Sequence, residues 1–322
     1  MGKESIVYRD RRIALVVPAH NEERLLPETL AAVPEFVDRI FVVDDCSSDA
    51  TSAVAEARRK LDPRIEVLRH ETNRGPGGAI VTGYLAARED GFDIAVVVGG
   101  DHQMPQGEME RLLDPIVEEG VDYAKGNRFM EGGNAFDEMP GIRLFGNTLV
   151  SFLTKVASGY YKSYDVVNGY TAVGKRALHL VPWERAWKGY GYPMDFLIRL
   201  NTYGCRIRDV PHTSIYLKGE RQSQIKSVRY ALSVSPMIVR GFFRRLFVKY
   251  LLRDFHPVFF FYLLGLVLLP LGLWLGCEIV WIKIFAEGRG VTPLTGILCA
   301  LFLILGTQSL LFAMLFDMQE SS

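Results

Sequence analysis

At 322 residues the chain has room for one large domain, or for one domain with an appendage. Lys plus Arg equals Asp plus Glu at 37 each, so nothing suggests an overall polyanion-binding surface and no nucleic-acid partner is expected. The balance is local: acids dominate several loops of the first half, whereas residues 218–253 carry many more bases than acids.

Residues 1–12 are charged and the apolar run at 13–17 is short, so no signal peptide is expected at the start. That run, Ile13-Ala-Leu-Val-Val, reads as a first strand closed by Pro18-Ala-His-Asn-Glu-Glu23. Residues 22–33 have helical periodicity, with Leu25, Leu26, Thr29 and Leu30 on one face. A second strand at 39–43 ends in Asp44-Asp-Cys-Ser-Ser-Asp-Ala-Thr51, followed by an Ala- and Arg-rich helix at 52–61. A third strand at 64–68 runs into Asn73-Arg-Gly-Pro-Gly-Gly-Ala79 and a helix to about residue 89. Residues 94–98 form the fourth. Strands alternating with helical stretches of this length give right-handed βαβ units and a mostly parallel α/β sheet. The four cysteines, Cys46, Cys205, Cys277 and Cys299, have neither metal nor disulfide spacing and fit a reducing compartment or plain apolar packing.

The fourth strand organises the rest, because Ile94-Ala-Val-Val-Val-Gly-Gly-Asp101-His-Gln103 is a buried-strand pattern that ends in glycines and an acid. Ligands of open α/β sheets sit beyond the carboxyl ends of such strands. Asp101 and Gln103 offer two oxygen ligands where a divalent cation can bridge a diphosphate; an ordinary Asp turn is the competing reading. Asp44 and Asp45 can accept from a uracil or guanine N–H and from ribose hydroxyls, or Asp44 and Asp49 can cap turns and the next helix. Residues 73–78 resemble a phosphate-cradling glycine loop but lack the P-loop Lys-Ser/Thr and the Rossmann spacing.

Pro18-Ala-His-Asn-Glu-Glu23, residues 43–51, Asn73-Arg-Gly75 and Gly100-Asp-His-Gln-Met104 together resemble the nucleotide-sugar half of family 2 glycosyltransferases, which have the GT-A fold. With Lys125-Gly-Asn-Arg128, Arg143-Leu-Phe-Gly-Asn147, Asn168-Gly-Tyr170, Gly191-Tyr-Pro-Met-Asp195 and Lys218-Gly-Glu-Arg221, the series resembles the polyprenyl-phosphate group that contains dolichyl-phosphate mannose synthase. The resemblance implies that Pro18, Ala19, Asn21, Glu22, Asp44, Asp45, Asn73, Gly75 and Asp101 meet the nucleotide. Asp101 and Gln103 would hold Mg²⁺ or Mn²⁺, although Gly99 stands where the family's Asp-X-Asp has its first acid. Arg128, Arg143 and Asn147 would clamp an acceptor phosphate, Arg221 would reach over the diphosphate, and Asn168 and Gly169 would lie beneath the sugar. Asp195 is assigned to orienting or proton-handling chemistry beside Arg128 and Arg143, with a helix N-cap as its alternative.

After a GT-A domain at 1–235, residues 236–255 interleave aromatic and aliphatic side chains with Arg and Lys at helical spacing, as in an amphipathic helix lying in a membrane interface. Residues 256–322 read as a transmembrane hairpin with spans near 257–282 and 294–316. The basic excess before the first span places the amino-terminal domain in the cytoplasm. Such an integral membrane protein would meet a UDP- or GDP-linked sugar in solution and a polyprenyl or dolichyl phosphate in the bilayer, and it has reason to form a homo-oligomer. The implied reaction is inverting sugar transfer from the nucleotide to that lipid phosphate. Its rivals are a catalytically silent nucleotide-sugar-binding partner, suggested by Gly99, and a transferase acting on a glycan hydroxyl.

Overall fold

The structure is a computed structural model in which residues 8–131, 141–215, 227–285 and 290–320 are described. Runs of β-branched residues become the strands of one seven-stranded sheet: β1 (Ile13–Ala19), β2 (Arg39–Asp44), β3 (Ile65–Arg69), β4 (Ile94–Val97), β5 (Tyr123–Asn127), β6 (Thr171–Gly174) and β7 (Ile207–Pro211). The order is β3-β2-β1-β4-β6-β5-β7. All neighbours are parallel except that β6 runs antiparallel to both β4 and β5. Ile13, Leu15, Val17, Ile40, Val42, Val96 and Ala172 are fully or almost fully buried at its centre.

The chain leaves β1 towards β2 and β3 on one side and returns to β4 on the other. The topological switch point therefore falls between β1 and β4, where the diverging connections open a crevice. The Gly100 N–H donates to the Pro18 carbonyl at 3.1 Å, joining the two strand ends. A Cβ on Gly100 would lie 3.3 Å from that of Ala19, so the close approach of the two loops needs the glycine.

Helices α1 (Leu26–Ala31), α2 (Thr51–Arg59), α3 (Pro76–Glu89), α4 (Met109–Glu118), α5 (Gly141–Ser158), α6 (Lys175–Leu180) and α7 (Tyr192–Thr202) connect the strands. The first starts four residues later than its periodicity predicts. Asn21 is left-handed (φ 58°), and the Glu22 and Glu23 N–H groups donate sideways to Thr51 Oγ1 and Asp49. That loop is committed to its neighbour before a helix can begin.

The chain divides into two compact units, residues 1–158 with 162–242, and residues 243–322 with 159–161. The second unit receives the end of α8 (Ser227–Arg245), which continues as a wider π-helical stretch, Leu246–Arg253. Arg245, Leu246 and Tyr250 are buried there, while Phe243, Phe247, Leu252 and Phe255 are exposed. Two long apolar helices follow, α9 (Pro257–Phe285) and α10 (Pro293–Glu320). They run antiparallel, and glycines bring the backbones together: a Cβ on Gly272 would lie 2.8 Å from the Leu303 nitrogen, and one on Gly306 2.6 Å from that of Leu269. Both are long and apolar enough to cross a membrane, and Trp274, Trp281, Ile297 and Ile304 stay exposed on their outer faces. Asp317, fully buried, accepts two hydrogen bonds of 2.7 Å from the Arg245 guanidinium and others from Tyr250 and Tyr262. A buried pair so fully bonded is the kind whose breakage costs about 3–5 kcal/mol.

Candidate active site

The parallel strands deliver their following loops to one rim, and the antiparallel β6 brings the loop before it to the same edge. On that rim the loops after β1 and β2 are laced together. The Asn21 N–H donates to Ser47 Oγ at 3.0 Å, and Asn21 Oδ1 accepts from the Ser48 N–H at 2.8 Å. Glu22 joins through its own N–H to Thr51, as above. Cys46 opposite Asn21 is also left-handed, at φ 59°. Non-glycine residues held in that region mark an over-determined loop, which is common at binding sites.

Asp44 and Asp45 leave β2 with different duties. Asp44 is buried; its Oδ1 accepts the Ser47 N–H at 2.9 Å, closing the turn, while Oδ2 has no hydrogen-bond partner among the described residues and lies 3.5 Å from Arg69 Nε. Asp45 Oδ1 accepts the Arg74 N–H and a bond from His70 Nδ1, each at 2.7 Å. His70 in turn meets Thr82 Oγ1 of α3 at 2.9 Å through Nε2. His70 thus fixes the carboxylate expected to read the nucleoside. The sequence reading missed it, since a single histidine at a strand end has no periodic or motif signal.

Asn73 reaches this rim: its amide lies 3.3 Å from His20 Nε2, and its Oδ1 accepts the Gly75 N–H at 3.0 Å. The glycines after it make room for a packed neighbour. A Cβ on Gly75 would sit 2.7 Å from the Lys188 carbonyl oxygen and one on Gly77 2.4 Å from that of Trp187, and the Gly78 N–H donates to Lys188 at 3.1 Å. Residues 75–78 are bare so that the segment entering α7 can lie against them.

Beyond β4, Gln103 donates its N–H towards Asp101 Oδ1 at 3.4 Å, and its carbonyl accepts the Ile215 N–H at 2.9 Å. A Cβ on Gly99 would fall 2.7 Å from Asp101 Oδ1. The Asp101 carboxylate therefore folds back over the position where the family pattern carries another side chain. Burial holds the Asp101 carboxyl above the ordinary carboxylate range, offset in part by backbone N–H bonds and His102. No lysine or arginine among the described residues pairs with it. A desolvated acid short of positive charge, with an amide side chain two residues on, suits a hard cation completed by phosphate oxygens. Among the described residues no three His, Cys, Asp or Glu side chains converge as a self-sufficient metal cage.

Arg128 follows β5 and is gripped by Asp165, which the sequence reading did not single out. The Arg128 Nε and Nη2 each donate to Asp165 at 2.7 Å, and the backbone N–H adds a third bond at 3.1 Å. Asp165 is 1% exposed and left-handed at φ 47°. Burial alone would raise its carboxyl, but Arg128 and then Lys125 hold it below the ordinary range. Asn168 donates its amide to the same carboxylate at 3.0 Å and to His212 Nε2. The Asn168 side chain is thus committed to Asp165 and His212.

Asp195 is also turned inward. It is 4% exposed, accepts the Trp187 N–H at 2.8 Å and pairs with Arg199 one turn on. The N-cap of α7 is Gly191. The cap is therefore not Asp195, whose carboxylate ties the 187–191 segment to the helix. Arg143 and Asn147 lie on α5 with side chains outside the described residues, and Arg221 itself lies outside the described residues.

Residues 14–180 match the family Glycosyl transferase family 2. The chain is 30% identical over 220 residues to the UDP-N-acetylglucosamine–dolichyl-phosphate N-acetylglucosaminyltransferase of Methanococcus voltae, covering 64% of this chain and 87% of that one. It is 31% identical over 209 residues to the undecaprenyl-phosphate mannosyltransferase of Micrococcus luteus, covering 63% and 84%. Among solved structures, glucosyl-3-phosphoglycerate synthase from Mycobacterium tuberculosis in complex with Mn²⁺, UDP and glucosyl-3-phosphoglycerate superposes with a TM-score of 0.51 at 19% identity, covering 74% and 80%. That enzyme has also been solved with Mg²⁺ and UDP. The switch-point crevice and its motifs thus belong to a known lineage: the chain is a member of glycosyl transferase family 2, a glycosyltransferase with a GT-A-like, mostly parallel sheet.

Proposed function

We propose that this glycosyltransferase is anchored in a membrane by its two apolar helices and moves a sugar, with inversion, from a UDP- or GDP-linked donor to a polyprenyl phosphate. The observation that carries the reading is Arg128, a cation fixed on buried Asp165 at the rim that also holds Asp101. A sugar hydroxyl acceptor would call for a general base there, whereas an anionic phosphate calls for a held cation. The names of the Methanococcus and Micrococcus relatives support the same acceptor class.

In this reading Asn21, Asp45 and the backbone of Pro18 and Ala19 bind base and ribose. Asp101 and Gln103 would hold Mg²⁺ or Mn²⁺, which when bound offsets the charge that grows on the departing nucleoside diphosphate. An oxygen of the lipid phosphate attacks the anomeric carbon, and the bond from that carbon to the diphosphate oxygen breaks with its electron pair. Arg128 orients the attacking phosphate, and its pairing with Asp165 limits how far it withdraws charge from that oxygen. Asp195 acts only by positioning residues 187–191.

The test is transfer of label from UDP- and GDP-sugars into organic-extractable lipid with added polyprenyl phosphate, Mg²⁺ or Mn²⁺, and an EDTA control. Acid-labile lipid label from one donor, lost with EDTA, is expected. Binding of nucleotide with no label from any donor would favour a silent partner or a glycan acceptor.

Two further outcomes are expected. The full chain stays in the membrane fraction through alkaline carbonate extraction, because α9 and α10 keep aromatic and aliphatic side chains on their outer faces; release into the supernatant would contradict the anchor. His70→Ala weakens binding of the nucleoside diphosphate about tenfold by calorimetry, the cost of one charge-assisted hydrogen bond. Unchanged affinity would show that Asp45 needs no such support.

A further inference from the structure

We propose that Tyr192 reads a hydroxyl of the donor sugar and so sets which hexose is transferred. The inference deepens the reading above and rests on it for the identity of the ligand as a nucleotide-linked sugar.

Tyr192 opens α7, and its N–H donates to the Gly189 carbonyl at 3.0 Å. Its Cβ lies so near α3 that a Cβ on Gly77 would come within 2.6 Å. On the other side its ring packs on Phe196, with centroids 5.3 Å apart. The ring is held firmly, as a recognition group must be if it is to discriminate.

Its hydroxyl points to the crevice. A Cβ on Gly169 would lie 2.5 Å from the Tyr192 oxygen and 3.3 Å from Met104 Cε, and Met104 belongs to the Asp101 loop, where its sulfur accepts the Gly99 N–H at 3.3 Å. Tyr192 therefore ends between Gly169 and the loop expected to hold the diphosphate, where the donor's sugar would follow. Among the described residues this hydroxyl has no hydrogen-bond partner. A phenylalanine would pack as well, so the oxygen is surplus to the fold. Meanwhile Asn168, the polar side chain beside it in sequence, is used up by Asp165 and His212. That leaves the Tyr192 hydroxyl as a polar group open at this corner among the described residues, and Gly169 is bare so that it can reach there.

A site that bonds a substrate hydroxyl rejects an analogue without it strongly, whereas an apolar pocket discriminates weakly. The experiment compares the wild-type full chain with Tyr192→Phe, using UDP-glucose, UDP-N-acetylglucosamine and GDP-mannose as donors and UDP and GDP as ligands. The expected result is a fall of about tenfold or more in kcat/KM with the preferred donor and a weaker discrimination among the three. Affinity for UDP or GDP and the thermal midpoint should stay as in the wild type. Gly169→Ala should abolish transfer, and Tyr192→Phe in the same chain should restore part of it by removing the oxygen that the new methyl meets. Equal kcat/KM in wild type and Tyr192→Phe, or a loss matched by weaker UDP binding and a lower midpoint, would overturn the proposal. No transfer by the wild type would sink the function reading instead. Calorimetry would then still decide for Tyr192, since the phenylalanine variant must lose the difference in affinity between the sugar nucleotide and its bare diphosphate.

Discussion

Asp101→Ala is expected to lower metal-dependent transfer about a thousandfold while leaving a folded protein that still binds the nucleoside. The loss compares with removing one preorganised charge-stabilising group from an active site. Here it should be at the upper end, because Gly99 supplies no second carboxylate and Gln103 brings no charge. Asp101→Asn separates charge from shape. The carboxylate is desolvated with no arginine or lysine beside it among the described residues, so its charge costs stability in the metal-free protein. Asn at 101 should raise the thermal midpoint of the metal-free chain while abolishing the stabilisation that Mn²⁺ plus UDP gives the wild type. A midpoint that falls, or transfer within a few-fold of normal, would remove Asp101 from the cation site.

That trade between stability and use explains which parts of the chain could be read in advance. The strands were legible because Ile13-Ala-Leu-Val-Val and Ile94-Ala-Val-Val can only be buried on both faces, and their loops then share a rim by topology alone. Asp101 and Gln103 stood out as candidates because the strand delivers them in sequence. What escaped notice depends on contacts between residues far apart. Asp165 meets Arg128 across 37 positions and His70 meets Asp45 across 25, and neither spacing leaves a periodic trace. The packing role of the glycines at 75–78 was hidden for a related reason. A bare backbone suits a phosphate and a packed neighbour equally well, and the neighbour, Trp187–Lys188, comes more than a hundred residues later. Asp195 carried the right family position, yet only the fold reveals that Arg199 one turn on and the Trp187 N–H consume its carboxylate.

Arg128 and Asp165 should behave as a unit whose two functions can be pulled apart. Arg128→Ala leaves a carboxylate that is 1% exposed, with Lys125 bonded to the Asp165 backbone carbonyl as its nearest cationic help. Asp165→Ala leaves a largely buried guanidinium, whose side chain is 13% exposed. Breaking a buried pair from either side costs about 3–5 kcal/mol, mostly for the charge left behind. Each single variant is therefore expected to show a much lower thermal midpoint. Removing both partners removes the stranded charge, so the double variant should be less destabilised than the sum of the singles by about 2 kcal/mol or more. Its transfer activity should not return with its stability. The acceptor phosphate has then lost its cation, and the KM for polyprenyl phosphate should stay raised while affinity for UDP or GDP is close to that of the wild type. Recovery of acceptor use in the double variant would mean that the pair serves the fold alone, and the phosphate clamp would have to be built from Arg143 and its neighbours on α5.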